Sequence, residues 1–100
     1  GAPMSAEELA KVQSIVNEQI ARDLPVTMTM MKLDEAKLSG ATALFGEKYE
    51  ETVKVYTIGD FSKEVCGGPH VERTGLLGKF RIQKEQSSAA GVRRIYAVLE

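Results

Sequence analysis

One hundred residues contain a single cysteine, Cys66, a single histidine, His70, and no tryptophan. One cysteine excludes an internal disulfide framework and suits a reducing compartment. One cysteine and one histidine also fall short of the three or four protein ligands that a zinc site needs. No apolar run approaches the roughly 18–20 residues of a membrane helix, so no membrane partner is expected. Thirteen Lys and Arg stand against fourteen Asp and Glu, a net charge of −1. That balance excludes nucleic-acid binding by bulk charge, but leaves room for a local basic stripe. With three Tyr and three Phe, an aromatic platform for stacking bases is poorly supported. Gly40, Gly46, Gly67-Gly68, Gly75 and Gly78 match neither a phosphate-loop nor a dinucleotide-binding spacing. Gly1-Ala2-Pro3-Met4 lacks the cationic and apolar stretches of a signal peptide and reads as the remnant of a cleaved tag.

What remains is ordinary globular composition, 43% hydrophobic and 27% charged. Residues 5–100 carry no repeat, low-complexity segment or linker, and read as one domain or part of a larger one. A chain of this length buries only about 60–68% of its surface, so its core is thin and a metal or neighbouring domain would add stability.

Ser5-Ala6-Glu7-Glu8 forms a capping box, and Leu9, Val12, Val16 and Ile20 with Ile15 follow as one helical stripe. Lys11, Asn17, Glu18 and Arg22 are expected to face water, and Pro25 to end the helix near Asp23. Val26–Met31 predicts a strand with Val26, Met28 and Met30 on one face, its methionines serving as core filler. A short helix follows from Asp34 to Lys37, with Ala41–Phe45 a kinked continuation and Gly46–Tyr49 a turn. Strands are expected over Val53–Ile58, Phe61–Val65, Lys79–Glu85 and Val92–Leu99, the last two as a hairpin joined by a turn from Gln86 to Gly91. Helices first and strands mainly after predict an α+β fold. Its form would be a two-layer sandwich, a mainly antiparallel sheet of four to five strands with two helices on one face.

The sharpest chemical feature is Cys66-Gly67-Gly68-Pro69-His70. Thiolate and imidazole are both zinc ligands, and the glycines let the backbone bend so that positions i and i+4 meet without a helix. A Cys–His nucleophile pair is a second possibility, with Asp60, Glu64 or Glu72 to orient the imidazole. His70 alone as a general base is a third, and a structural cysteine near a surface histidine is the bland alternative. Lys79, Arg81, Lys84, Arg93 and Arg94 gather in the last quarter. If the final strands pair, Arg81 and one of Arg93 or Arg94 share a face suited to phosphates. Ion pairs to Glu85 and Glu100 are the plainer use of those arginines.

Several stretches, in order, resemble the alanyl-tRNA synthetases. They are Gly40-Ala41-Thr42-Ala43-Leu44-Phe45-Gly46-Glu47-Lys48-Tyr49; Val53-Lys54-Val55 with Ile58-Gly59; Cys66-Gly67-Gly68-Pro69-His70-Val71 with Thr74-Gly75; and Ser88-Ala89-Ala90-Gly91-Val92-Arg93-Arg94-Ile95. Glu7-Glu8-Leu9 with Val16-Asn17 resembles the helix preceding them. The resemblance covers residues 5–99 and implies the later half of the editing domain, a module shared with threonyl-tRNA synthetases and free-standing deacylases. It implies hydrolysis of mischarged seryl- or glycyl-tRNA(Ala). It implies zinc held by two histidines of an upstream H-x-x-x-H together with Cys66 and His70. It also implies a cytoplasmic enzyme whose partners are the tRNA(Ala) acceptor end and the remainder of the synthetase chain. Arg93, Arg94 and Arg81 become candidate tRNA contacts, and no catalytic residue is assigned. ATP and alanine activation belong to another domain of such enzymes.

Two departures qualify the likeness. The upstream H-x-x-x-H is absent, so this chain offers only two zinc ligands and is expected to deacylate weakly by itself. Pro69 is the threonyl-type residue where alanyl enzymes commonly carry Thr, and it removes a backbone donor and a hydroxyl from the loop. The alternatives are a threonyl-type or free-standing deacylase, and a non-catalytic RNA- or protein-binding module of the same fold.

Overall fold

The computed structural model describes residues 2–43 and 48–100. The elements are helix α1 (Ala6–Ala21), strand β1 (Val26–Lys32), helix α2 (Leu33–Leu38), strands β2 (Thr52–Ile58) and β3 (Ser62–Val65), a 3-10 turn (Thr74–Leu77), and strands β4 (Phe80–Ala89) and β5 (Val92–Leu99). The fold is α+β with antiparallel strands, but its five strands form two sheets: β1-β2-β3 and the β4-β5 hairpin. Each sheet takes its own helix, α2 lying on β1 and β2 and α1 lying along β4. The two helices therefore do not share a face of one sheet.

α1 begins as its capping box dictates. Ser5 Oγ accepts from the Glu8 amide at 3.1 Å and Glu8 Oε1 accepts from the Ser5 amide at 2.8 Å. The helix ends at Ala21, and Asp23 turns the chain out with a φ of 49° ahead of Pro25. Asn17 does not face water. Its amide accepts from the Phe80 N–H and donates to the Phe80 carbonyl, both at 2.8 Å, while Gln13 accepts from the Ile82 N–H at 2.8 Å. Four helical residues rise about 6 Å and two strand residues about 6.6 Å, so amides one turn apart match alternate backbone groups of a strand. The α1 side chains thus cover the outer edge of β4, which would otherwise present unpaired backbone groups.

The first sheet buries its valines under α2. Val53, Val55, Ala36 and Ala41 form the core cluster, with Met31, Leu33, Tyr49 and Val65 packed against it. The opposite face stays open, with Met28 47% and Met30 51% exposed. Only Met31 of that methionine run therefore fills core; alternation gives the other two to the face that α2 leaves bare. Ala41–Ala43 does not continue the helix: Thr42 bridges in parallel to Glu64, donating to the Lys63 carbonyl and accepting from the Val65 amide, both at 2.9 Å. Residues 44–47, which carry part of that expected continuation and of the Gly46–Tyr49 turn, lie outside the described residues.

The second sheet is longer than its sequence suggests. β4 runs to Ala89, and the turn shrinks to Ala90-Gly91, because Gln86 and Ser87 pair with Arg94 and Arg93. Gly78 closes the base of the hairpin at φ 80°, where a Cβ would lie 2.5 Å from the Glu100 carbonyl oxygen. The molecule is flat, 39 × 35 × 19 Å, with a radius of gyration of 15.3 Å. A compact 100-residue domain has about 13 Å.

Thr74, buried at 5% exposure, joins the two halves. Its hydroxyl donates to the Gln19 carbonyl and accepts from the Leu24 amide, both at 2.7 Å. The Gln19 carbonyl is one of the last four of α1, which have no partner within the helix. Replacing Thr74 by Val keeps the volume but strands both buried groups. Thr74→Val is expected to lower unfolding stability by about 1–3 kcal/mol and Thr74→Ser to retain most of it, as read from urea unfolding midpoints.

Candidate functional site

Cys66 follows β3 and continues its pairing by one step, its amide donating to the Lys54 carbonyl at 3.1 Å. The register sets Tyr56 opposite Glu64, so Lys54 and Cys66 come next on the same face. That face is the open one, shared with Met28 and Met30. Cys66 and Gly67 border a groove of about 340 Å³ together with Met30, Lys54 and Tyr49.

The loop then folds His70 back over this face. Its ring stacks on Tyr56 with centroids 3.7 Å apart and planes 16° from parallel. Nδ1 lies 3.1 Å from the Gly68 carbonyl, and the tautomer that satisfies this contact donates from Nδ1–H. Nε2 stands 3.8 Å from Glu64 Oε1. Holding Nδ1 on a backbone carbonyl while Nε2 points outward is also how metal-bound histidines are usually oriented. The Gly68 carbonyl thereby fixes the imidazole. The donor set thus suits zinc chemically. Among the described residues, no group of three or more His, Cys, Asp or Glu gathers to hold a metal, and these residues would supply at most two ligands.

Of the three acids considered as imidazole partners, Glu64 is the one the fold brings to His70. Asp60 pairs with Arg22 at 2.9 Å, and the Glu72 carbonyl accepts from the Val26 amide. Tyr56 was not legible as a site residue, because its role depends on the β2–β3 register.

The arginines separate. Arg93 is tied to Glu85 by two hydrogen bonds, Nε to Oε2 at 2.5 Å and Nη2 to Oε1 at 2.9 Å, and Arg81 pairs with Glu100. The expected ion pairs therefore form. A bulge between Ile82 and Lys84 shifts the pairing by one, so that Arg81, Lys84 and Arg94 share one face while Arg93 occupies the other. Arg81 shares its face with Arg94, as one of the two alternatives held.

Residues 53–96, which hold this loop and all three arginines, match the family model described as the threonyl and alanyl tRNA synthetase second additional domain. The chain is 70% identical over 98 residues to alanine–tRNA ligase of Treponema pallidum and 69% over 98 residues to that of Treponema denticola. It is 58% identical over 96 residues to alanine–tRNA ligase of Borreliella burgdorferi. This chain belongs to the alanyl-tRNA synthetase family. The matches cover 96–98% of the chain but 16% of each relative, so in those ligases most of the protein lies outside the matched segment. No helix among the described residues of this synthetase segment is long and apolar enough to cross a membrane.

The Glu85 carboxyl is held below its ordinary value of 4.5, chiefly by the Arg93 hydrogen bonds and against the opposing effect of burial, with the Met4 backbone adding to the lowering. A carboxylate whose folded pKa is depressed contributes stability that is complete above the unfolded value and lost as pH falls through the folded one. The hairpin of this synthetase segment is therefore expected to lose stability on acidification below about pH 4.5. Glu85→Gln should weaken it at neutral pH and flatten that acid loss, as measured by the urea midpoint against pH.

Proposed function

We propose that this chain is the later half of the editing domain of a cytoplasmic alanyl-tRNA synthetase. It would hydrolyse mischarged seryl- or glycyl-tRNA(Ala) at a zinc-associated site to which it contributes Cys66 and His70. The observation that carries the reading is the Gly68 carbonyl. It holds Nδ1 of His70 and so turns Nε2 toward Glu64 on the same open face as Cys66. The tRNA(Ala) acceptor end and the remainder of the synthetase are the partners, and the upstream segment supplies the two further ligands.

The reaction answers a discrimination problem. Serine adds a hydroxyl to alanine and glycine lacks a methyl, and a methylene is worth only about 1–3 kcal/mol in a binding pocket. A second, hydrolytic pocket removes what the first admits. Zinc, when bound, supplies Lewis acidity toward water or toward the aminoacyl group. This chain's own residues prepare the site. Tyr56 fixes the plane of the imidazole, Gly68 selects its tautomer, and the register of β2 with β3 delivers Cys66 to the same side.

The test uses the longer synthetase that contains this segment. Cys66→Ala is expected to lower zinc affinity by at least the roughly 10–100-fold that loss of an outer-shell partner costs, and to lower seryl-tRNA(Ala) hydrolysis with it. The 100-residue chain alone should hydrolyse poorly. Zinc content and deacylation both unchanged by Cys66→Ala, or efficient zinc-dependent hydrolysis by the short chain, would overturn the assignment.

A further inference from the structure

The β4–β5 hairpin sorts its charges by face. Glu85 and Arg93 neutralise each other on one side, where the Glu85 side chain is only 4% exposed. On the other side, Lys84 stands opposite Tyr96 and Gln86 opposite Arg94. Among the described residues, Lys84 and Arg94 form no ion pair with a carboxylate, since Glu100 is engaged by Arg81 at the base of the hairpin. Two cations that could have been quenched by a neighbouring acid are left uncompensated in a chain of net charge −1.

These cations are also arranged. Lys84 Nζ lies 4.6 Å from the centre of the Tyr96 ring. Gln86 Nε2 donates to the Tyr96 hydroxyl at 3.2 Å, and Arg94 Nη1 lies 3.5 Å from the same oxygen. The phenol thus gathers an ammonium, a guanidinium and an amide around one spot. Holding them there reduces the side-chain entropy lost when an anion arrives. The pairs Lys84–Tyr96 and Gln86–Arg94 lie two strand residues apart along the hairpin, roughly 6.6 Å between their backbone positions. That is the scale on which successive phosphates follow one another along a nucleic-acid strand. A compact ammonium beside a planar guanidinium suits phosphate oxygens, one as a point charge and one as a fork. The Tyr96 ring face is already covered by Lys84, which disfavours base stacking and leaves the backbone as what this face can grip.

We propose that the Lys84–Tyr96–Arg94 face of the β4–β5 hairpin contacts the phosphate backbone of RNA, with Arg93 on the opposite side serving structure only. The inference rests on the tRNA substrate proposed above, and extends it to named residues outside the Cys66–His70 loop.

The experiment titrates the 100-residue chain with an acceptor-stem RNA hairpin over a range of salt concentrations, its fold checked by circular dichroism. Lys84→Gln and Arg94→Gln are each expected to weaken binding. Each should also make the plot of log affinity against log salt shallower by about 0.7–0.9, the share of one phosphate contact. Arg81→Gln, whose charge is already spent on Glu100, should change the slope less. An unchanged slope and affinity in the Lys84→Gln, Arg94→Gln double variant would overturn the proposal, as would a wild-type chain that binds no RNA. So would a double variant that loses binding to polyglutamate while still binding RNA, which would make the face a dock for acidic protein. The zinc content of the longer synthetase is read separately. Failure of this surface with zinc still dependent on Cys66 leaves the editing reading intact, and loss of the zinc dependence with the RNA slope still set by Lys84 and Arg94 removes that reading alone.

Discussion

The hydroxyl of Thr74 is the constraint on which the arrangement depends. The chain folds as two sheets with separate helices. A buried hydroxyl that donates to the end of α1 and accepts from the residue leading into β1 ties the first helix to the segment that follows the Cys66–His70 loop. The Thr74 amide returns the bond to the Leu24 carbonyl at 2.9 Å, and Pro25 bridges to Arg73. The loop is thereby fixed at both ends, by the β3 register before it and by this junction after it. Gly75 is part of the same device: a Cβ there would lie 2.3 Å from Asp23 Oδ1, which instead accepts from the Gly75 amide at 2.9 Å. Without that anchorage, a segment with two glycines in succession would sample many backbone states, and the His70 ring would not remain stacked on Tyr56.

A fixed loop explains how so few residues can prepare a site. Each polar group acts on the next through a short link: Tyr56 on the ring plane, Gly68 on the tautomer, Glu64 on the environment of Nε2. A metal bound here would find its imidazole ligand already oriented, which lowers the entropy cost of forming the site. The same face carries two half-exposed methionines and borders a groove, so the apolar floor and the polar donors lie side by side. Flexible, polarisable methionine side chains adapt to whatever surface meets them.

Much of this was legible in the residues. The capping box, the apolar stripe of α1, the alternation of β2, the apolar run of β5 and the Gly-Gly-Pro bend all follow from local rules that act within a few positions. Asn17 and Gln13 were not legible, because a polar residue on a helix reads as solvated until its partner, 63 residues away in the case of Asn17, is known. The methionines of β1 failed for a related reason: hydrophobicity says that a strand is apolar, and the helix that covers one face says which of its residues are buried. The bulge at Gln83 left no mark in the alternation of Lys79–Glu85, yet it decides which arginine joins Lys84. Cys66 and His70 were visible as a spacing, whereas Tyr56 and Glu64 entered only through the pairing of two strands.

The flatness of the molecule ties these observations to the family. A 100-residue chain has little interior to spend, and here the buried apolar side chains of the described residues are few: two alanines and two valines in the main cluster, with Ile20 and Leu24 around the end of α1. Hydrophobic stabilisation scales with area removed from water, so a thin core leaves polar junctions to fix geometry that packing alone would leave loose. The face opposite α2 leaves Met28 and Met30 half exposed, with Cys66 and His70 at its margin. In the relatives the matched segment is about one-sixth of the chain. The Cys66–His70 loop and the bare methionines lie on that one face, so the register of β1, β2 and β3 places a thiol, an imidazole and an apolar floor side by side.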